Sequence, residues 1–229
     1  HSSTLATIAA KNHANGAKNP LAHMQKDVGF EFCNTVSKKN PMVAEPLRVT
    51  DCSLISDGAA AIVIASDDVA RSHDKAIRFR STAHVQDILP MSRRKLTDFE
   101  GPAKAFASAF DQAGISVNDL DFAEIHDCFT IAELLVYEAM GLAPKGEGAR
   151  VLDDGTVYPD GALPINLSGG LKAKGHPVGA TGVSMHVMTA MQLAGEAAEL
   201  QKANADLGCV FNMGGSGVAN YCSVLERRN

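Results

Sequence analysis

The feature that most constrains this chain is an apolar run that ends in a histidine and a cysteine directly before a helical segment. Residues 119–126 read Asp-Leu-Asp-Phe-Ala-Glu-Ile-His, and Asp127, Cys128 and Phe129 lead into a helix predicted over residues 130–141. In α/β folds the residues just after a strand lie at the carboxyl edge of the sheet, where ligands bind. The pattern therefore predicts a strand, a reactive junction and a helix within an α/β fold.

The other predicted elements fit a sheet with helices on both faces. Strands are predicted where apolar residues are continuous or alternate, and helices where they recur every three or four positions. The predicted strands cover residues 59–65, 76–85, 207–211 and 218–225, and the predicted helices cover residues 101–114 and 179–200. The first of these strands is expected to be central, and the last two are expected to form a hairpin. An alanine-rich helix within residues 1–20 is expected to lie outside the core.

Composition excludes several classes of protein. The 229 residues are 45% apolar and 21% charged, which is ordinary for a globular chain of one large or two small domains. A net charge of -5 without an extended basic run argues against a nucleic-acid partner. Each apolar stretch is interrupted short of the ~20 residues that a membrane helix requires, so no integral membrane segment is expected.

The cysteines indicate the chemical environment. Five of them are scattered along the chain, with no CxxC pair and no close histidine spacing. This pattern predicts a reducing, intracellular compartment and no metal site, without distinguishing cytoplasm, mitochondrion or peroxisome. They are Cys33, Cys52, Cys128, Cys209 and Cys222.

A second candidate catalytic histidine lies about fifty residues after the first. His176 stands between Gly175 and Pro177, in a glycine-rich loop that leaves room for a substrate to approach the backbone. The start of the helix that follows Cys128 predicts a thiolate with a lowered pKa. From the residues alone, each candidate also has a structural interpretation: a core histidine for His126, an inert buried cysteine for Cys128 and a simple turn at His176.

Four short motifs share their order and approximate spacing with the C-terminal half of the thiolase family. They are His126–Phe129, Asn166–Gly170, Gly175–Gly182 and Asn212–Gly217. The His-Asp-Cys-Phe form resembles the sterol-carrier-protein thiolases and their archaeal relatives. Upstream, residues 51–60 resemble the segment that enters the last strand of the family's N-terminal half, so the resemblance spans nearly the whole chain.

The resemblance implies a layered α/β/α/β/α thiolase fold, of which this chain supplies the C-terminal half-sheet and part of the loop domain. It assigns residues 1–45 to that loop domain and residues 46–70 to the last strand region of the N-terminal half. Residues 71–229 are assigned to the C-terminal thiolase domain. Members of the family are expected to assemble as homodimers or homotetramers.

The resemblance also implies a chemistry. Thiolases transfer acyl groups between a cysteine thiolate and coenzyme A, and either cleave 3-ketoacyl-CoA or condense two acyl-CoAs. His176 resembles the histidine that activates the nucleophile, and His126 resembles the donor to the enolate oxygen. Cys128 resembles the cysteine that takes the acid/base role where the last glycine loop carries Asn212 instead of cysteine.

Further implied residues concern substrate binding. Coenzyme A and acyl-CoA are the expected partners, as substrates, with no covalently bound cofactor. The implied substrate-binding residues are Ser53, Asn212, Gly214 and Gly170. Candidates for the nucleotide phosphates of coenzyme A are Lys172, Lys174, Arg93, Arg94 and Lys95.

The family's nucleophilic cysteine lies upstream of every residue in this sequence. We therefore expect the attacking thiolate to come from a missing N-terminal half, and this chain alone to be inactive. Two alternatives stay open at this point. One is a single-chain thioester hydrolase with Cys128 as nucleophile and His176 as base, and the other is a non-catalytic acyl-CoA-binding or scaffold subunit.

Overall fold

A computed structural model describes residues 1–228, and Asn229, the last residue of the predicted C-terminal domain, lies outside the described residues. The strands in this range are β1 (Met42–Ala44), β2 (Leu47–Arg48), β3 (Ile77–Gln86), β4 (Phe122–Ile125), β5 (Leu207–Gly214) and β6 (Ala219–Arg227). The helices are α1 (Ser2–Ala17), α2 (Gly29–Asn34), α3 (Asp67–Ala70), α4 (Glu100–Ala113), α5 (Thr130–Ala139), α6 (Arg150–Asp153), α7 (Gly170–Ala173) and α8 (Thr181–Leu193).

The main sheet has the strand order β3-β6-β5-β4. Strand β4 runs parallel to β5, whereas β5 and β3 are antiparallel to β6, which confirms the predicted hairpin. The register pairs Ile125 with Phe211, so the residues that follow, His126 and Asn212, lie next to each other at one edge. The topology thus brings two distant motifs together.

Helices cover both faces of this sheet, which confirms the predicted α/β class. Cys209 and Phe211 of β5 belong to the core cluster on the α4 and α5 side, while Val210 between them packs on the α8 side with Met185. This alternation follows from the period of two in a strand. On the α4 side, the Phe106 ring stacks on Phe211 with centroids 4.6 Å apart.

The expectation that the first helix lies outside the core is wrong. Leu5, Ile8 and Ala9 of α1 are buried, and the helix packs against α2, α5 and α7. Its polar residues Lys11 and Asn12 are buried as well. Sequence periodicity assigns such residues to solvent, but here they bind partners in the protein interior.

The predicted central strand at residues 59–65 is also not observed. In the described chain the segment pairs with no strand, and it exposes Ile62, Val63 and Ile64, with Val63 98% accessible. An apolar run becomes a strand only where a neighbouring strand takes up its backbone hydrogen bonds. Residues 1–228 place no such neighbour beside it.

The predicted helix boundaries need one substantial correction. Helices α4 and α5 end within two residues of the predicted positions, whereas α8 ends at Leu193 instead of continuing to Leu200. Gly195 has φ of +74°, a left-handed conformation that ends a helix at little steric cost. The apolar residues beyond it form a separate 3₁₀ turn, Ala198–Leu200.

Candidate active site

The structure places the two predicted catalytic histidines against each other. The ring centroids of His126 and His176 are 5.4 Å apart, and the ring planes are inclined by 89°. His126 directly follows β4, and His176 lies in the loop between α7 and α8. Two motifs fifty residues apart in sequence therefore form one site at the carboxyl edge of β4 and β5.

Hydrogen bonds determine which nitrogen of His176 carries the proton. His176 Nδ1 lies 2.7 Å from Thr181 Oγ1, and this hydroxyl donates to the Pro177 carbonyl oxygen at 3.0 Å. A hydroxyl has one hydrogen to donate, so Thr181 accepts from Nδ1–H. The neutral ring keeps a free lone pair on Nε2, as a general base requires. Burial, and then the Lys174 charge, lower the pKa of His176, which favours that neutral form.

His126 is held by Asn212, whose side-chain Oδ1 lies 2.7 Å from His126 Nδ1. Burial lowers the pKa of His126 to about 4. The hydrogen bond to Asn212 acts in the opposite sense, because it favours the charged form of the ring. With the amide oxygen at Nδ1, that nitrogen carries the proton and Nε2 accepts; with the amide reversed, Nε2 donates. The orientation of the Asn212 amide therefore selects whether His126 donates to an oxyanion.

The prediction of a low-pKa thiolate at Cys128 is wrong. Burial, followed by the Asp127 carboxylate, raises the pKa of the Cys128 thiol to about 12. The side chain packs against both hydrophobic clusters of the sheet, and its desolvation outweighs the favourable field at the start of α5. At neutral pH Cys128 is a protonated thiol, which can donate a proton but does not rest as a nucleophile.

The segment of residues 53–56, upstream of β3, contacts both the loop of Cys128 and the loop of His176. The backbone N–H of Ser53 donates to the Cys128 carbonyl oxygen at 2.8 Å, and the N–H of His176 donates to Ser56 Oγ at 2.8 Å. Ser53 thus lies beside the predicted acid/base, and its substrate-binding role stays a prediction. Sequence reasoning missed Ser56, because a serine before a turn carries no distinguishing signal.

Gly170 joins the two motifs through Asp127. Its φ is +60°, and a Cβ at this position would lie 2.3 Å from Asp127 Oδ2. The absence of a side chain lets the Asp127 carboxylate accept the N–H groups of Leu171 at 2.6 Å and Lys172 at 3.3 Å. This contact anchors the start of α7 to the loop that carries His126, and a role of Gly170 in substrate binding stays a prediction.

A buried polar network ties α1 to the back of the site. Lys11 Nζ lies 2.9 Å from Glu133 Oε1, and Asn12 donates to Asp127 Oδ2 at 2.9 Å and to Glu133 Oε2 at 2.6 Å. Burial, and then the neighbouring Glu133, raise the pKa of Asp127. The Lys11 charge offsets part of the cost of burying two carboxylates. Sequence reasoning missed this network because polar residues on a helix usually indicate a solvent-facing side.

Two of the basic residues considered for coenzyme A phosphates do not fit that role. Lys172 and Lys174 are 2% and 7% exposed. The Lys172 ammonium group binds the Cys52 carbonyl oxygen, and Lys174 Nζ donates to Ser184 Oγ at 2.9 Å. Burial lowers the pKa of both lysines. Their ammonium groups hold neighbouring loops in place and are not available to a ligand in solution.

The last of the predicted substrate-binding residues, Gly214, ends β5 and is exposed, with open space on its side-chain face. Its role stays a prediction. Across residues 1–228, no three His, Cys, Asp or Glu side chains are grouped so that they could hold a metal ion. No helix in the same range is long and apolar enough to cross a bilayer.

Fold and site together define a class of protein. Proteins of this class have an α/β domain that carries two histidines and a protonated cysteine at the carboxyl edge of its sheet. A hydrogen bond to Nδ1 of each histidine determines which ring nitrogen is protonated. The sequence profile described as "Thiolase C-terminal domain-like" matches residues 83–227, more than half of the chain. The chain belongs to this family.

Two curated relatives cover nearly the whole chain. It is 40% identical over 225 residues to the acetyl-CoA acetyltransferase of Methanothermobacter thermautotrophicus, which is 97% of this chain and 58% of that protein. It is 35% identical over 217 residues to sterol carrier protein 2 of Bos taurus, covering 91% of this chain and 39% of the relative. The resemblance to sterol-carrier-protein and archaeal thiolases is confirmed, and the chain spans roughly half or less of these relatives' lengths.

A solved structure shares the fold. The Ltp2-ChsH2(DUF35) aldolase superposes with a TM-score of 0.83 at 19% sequence identity, over 99% of this chain and 58% of that chain. At this identity the likeness concerns the fold alone. With the family match, it confirms the predicted thiolase fold.

Proposed function

We propose that this chain is the C-terminal part of a thiolase that acts on acyl-CoA, with its nucleophilic cysteine in an N-terminal half outside residues 1–229. The observation that carries the proposal is the contact between the rings of His126 and His176 at one edge of the sheet, in the loop where Cys128 follows His126 by two residues. Acyl transfer through a cysteine requires a base, an oxyanion donor and a proton donor around one substrate. These three side chains supply those groups.

In the cleavage direction, Nε2 of His176 takes the proton of the attacking thiol. The resulting thiolate adds to the 3-keto carbonyl carbon, and the bond between C2 and C3 breaks to give an acyl-enzyme and an enolate. With the Asn212 amide reversed so that Nε2 of His126 carries the proton, His126 donates to the enolate oxygen, and the Cys128 thiol gives its proton to C2. The thiol of the incoming coenzyme A then returns a proton to Cys128, and its sulfur attacks the acyl-enzyme. The nucleophilic cysteine leaves as a thiolate and recovers its proton from His176.

The raised pKa of Cys128 bears on its role. A thiol that rests protonated can give a proton to C2 in cleavage. Condensation runs through the same thiol and thiolate in reverse, so the pKa of Cys128 does not choose the direction of the reaction. The raised pKa opposes the single-chain alternative, because that mechanism requires Cys128 to attack as a thiolate.

The proposal includes an organisation for the parent protein. Residues 1–45 belong to a loop domain at the site, residues 46–70 to the last strand region of the N-terminal half, and residues 71–229 to the C-terminal domain. The exposed apolar run at 59–65 supports the second assignment, because such runs are typical of strands covered on both faces. Coenzyme A and acyl-CoA are the substrates, and the complete protein is a homodimer or homotetramer.

Trapping of the acyl-enzyme tests this function. The complete protein is incubated with acetoacetyl-CoA, quenched and digested, and the acylated peptide is identified by mass spectrometry. We expect the acyl group on a cysteine outside residues 1–229, and His176→Ala to abolish its formation. An acyl group on Cys128 would support the single-chain hydrolase, while acyl-CoA binding without any acylation would support the scaffold role.

Cys128→Ser separates the two halves of the mechanism. We expect this variant to form the acyl-enzyme at the normal rate and to exchange the α-protons of acetyl-CoA with D₂O more slowly by roughly 10² to 10⁴. If acylation and exchange fall by the same factor, Cys128 is not a separate acid/base. Cys33→Ser, which changes a buried thiol in α2, serves as the control for thiol removal elsewhere.

A further inference from the structure

The guanidinium of Arg94 lacks an acceptor on one edge. Arg94 lies in the loop between β3 and α4, and its side chain is 9% exposed. Nη1 donates to the Ser216 carbonyl oxygen at 3.2 Å and lies 3.7 Å from Asp87 Oδ2. Nε and Nη2 are buried and hydrogen-bond to nothing in the described part of the chain.

Nε–H and Nη2–H point the same way from one edge of the planar group. A carboxylate matches this pair with its two oxygens and binds in a bidentate manner. Leaving a buried donor without an acceptor costs about 1–3 kcal/mol, and more for a charged group. Arg94 therefore presents a fork whose missing partner is a planar anion.

Arg94 lines a cleft at the same end of the sheet as the histidine pair. Arg94, Ile88, Phe99 and Gly217 are among its lining residues. Ser216, which binds Arg94, follows Asn212 by four residues, and Asn212 binds His126. Four extended residues span at most about 14 Å, which sets the upper limit on the separation that an acyl chain from the histidines has to cover.

We propose that this cleft binds a carboxylate at the far end of the acyl chain, so that the preferred substrates are thioesters of dicarboxylic acids. The inference rests on the proposed thiolase function for the position of the thioester. The cleft is lined by three cations, Arg93, Arg94 and Lys95, and by two carboxylates, Asp87 and Glu100, so three minus two leaves a net charge of +1 that a singly charged carboxylate neutralises. Ile88 and Leu96, 47% and 45% exposed, supply apolar surface in the same cleft for the methylene groups of the acyl chain.

A titration without coenzyme A tests the fork by itself. Propionate or inorganic phosphate is added to the ¹⁵N-labelled complete protein, and the Nε–H resonances of Arg94 and Arg150 are followed by NMR. We expect propionate to shift the Arg94 resonance and slow its exchange with water, while Arg150, which is exposed and does not line the cleft, stays unchanged. No shift, or a larger shift with phosphate, would overturn the proposal.

A matched pair of thioesters tests the substrate class. Adipyl-CoA and hexanoyl-CoA differ in a carboxylate at the chain end, and their binding to the complete protein is measured by calorimetry. Arg94→Met should weaken adipyl-CoA about tenfold or more and change hexanoyl-CoA by less than about twofold. Arg150→Met makes the same charge change on an exposed residue that does not line the cleft and should affect neither.

Each other result has a distinct meaning. Equal losses of both esters in Arg94→Met would assign Arg94 to the phosphates of coenzyme A and overturn the carboxylate site. An equal effect of Arg150→Met would show that only the general positive charge of the protein attracts the ester. If circular dichroism shows that Arg94→Met is unfolded, Arg94→Lys, which keeps the charge and loses the fork, decides by the same measurement. If the wild type binds neither ester, the proposed thiolase function fails, and the propionate titration alone decides the Arg94 site.

Discussion

At the scale of single residues, the free lone pair on His176 Nε2 depends on Thr181. Thr181→Val keeps the shape of the side chain and removes the acceptor for Nδ1–H. Losing one hydrogen bond of about 1–1.5 kcal/mol in the reactive form should lower kcat/KM for acetoacetyl-CoA thiolysis about tenfold. Thr181→Ser, which retains the hydroxyl, should stay near wild type. ¹⁵N NMR of the ring should show mixed tautomers in Thr181→Val, and an unchanged tautomer would contradict this role.

The buried side chain of His13 makes the free energy of unfolding depend on pH. Burial, and then the Lys172 charge, lower the pKa of His13 to about 4, and its Nδ1 has no hydrogen-bond partner in the structure. Between pH 6.5 and pH 4 the unfolded chain binds more protons at this residue than the folded chain does. The free energy of unfolding therefore decreases as the pH is lowered. His13 alone accounts for a decrease of about 2 kcal/mol between pH 7 and pH 5.

Urea unfolding at the two pH values measures this contribution. His13→Phe should remove about 2 kcal/mol of the difference between pH 7 and pH 5, since a phenyl ring binds no proton. His73→Phe replaces an exposed histidine and should leave the wild-type difference unchanged. A pH dependence that is the same in both variants would show that His13 is protonated in the folded protein.

At the scale of elements, the short helix α7 depends on Gly170. Gly170→Ala adds left-handed strain of about 1 kcal/mol and places a Cβ against the Asp127 carboxylate, so we expect a loss of roughly 3 kcal/mol in the free energy of unfolding. Gly141→Ala tests strain alone, because Gly141 has φ of +84° with open space around it. Gly179→Ala meets no neighbour and should be almost neutral. If Gly170→Ala and Gly141→Ala lower the free energy of unfolding equally, the contact between the added Cβ and Asp127 contributes nothing.

The same scale shows what the sequence can predict. The β5–β6 hairpin and the β4–α5 junction were predictable, because their apolar periods and turn residues are local. Helix α1 was misjudged because the partners of Lys11 and Asn12 lie more than a hundred residues away. The site residues His126, His176 and Asn212 were chosen through motif resemblance, while their contact depends on the parallel pairing of β4 with β5. The Cys128 pKa was missed because burial is a property of the packed fold.

At the scale of the whole molecule, the apolar segment that ends at residue 65 leaves hydrophobic side chains exposed on the surface. Ile55, Val63 and Ile64 are 105%, 98% and 76% exposed, and contiguous apolar surface of this kind normally binds another chain. We predict that residues 1–229 expressed by themselves self-associate, as measured by sedimentation velocity. Val63→Lys with Ile64→Lys should shift the distribution towards monomer.

Leu89→Lys is the matched control for that experiment, since Leu89 is 70% exposed in a different loop and its substitution should leave self-association unchanged. In the complete protein the double lysine substitution has the opposite consequence. If residues 59–65 form a central strand there, two buried ammonium groups without partners should prevent soluble assembly. A wild-type fragment that sediments as a single monomer, or a complete protein that accepts both lysines, would contradict the assignment of this segment to a sheet outside residues 1–229.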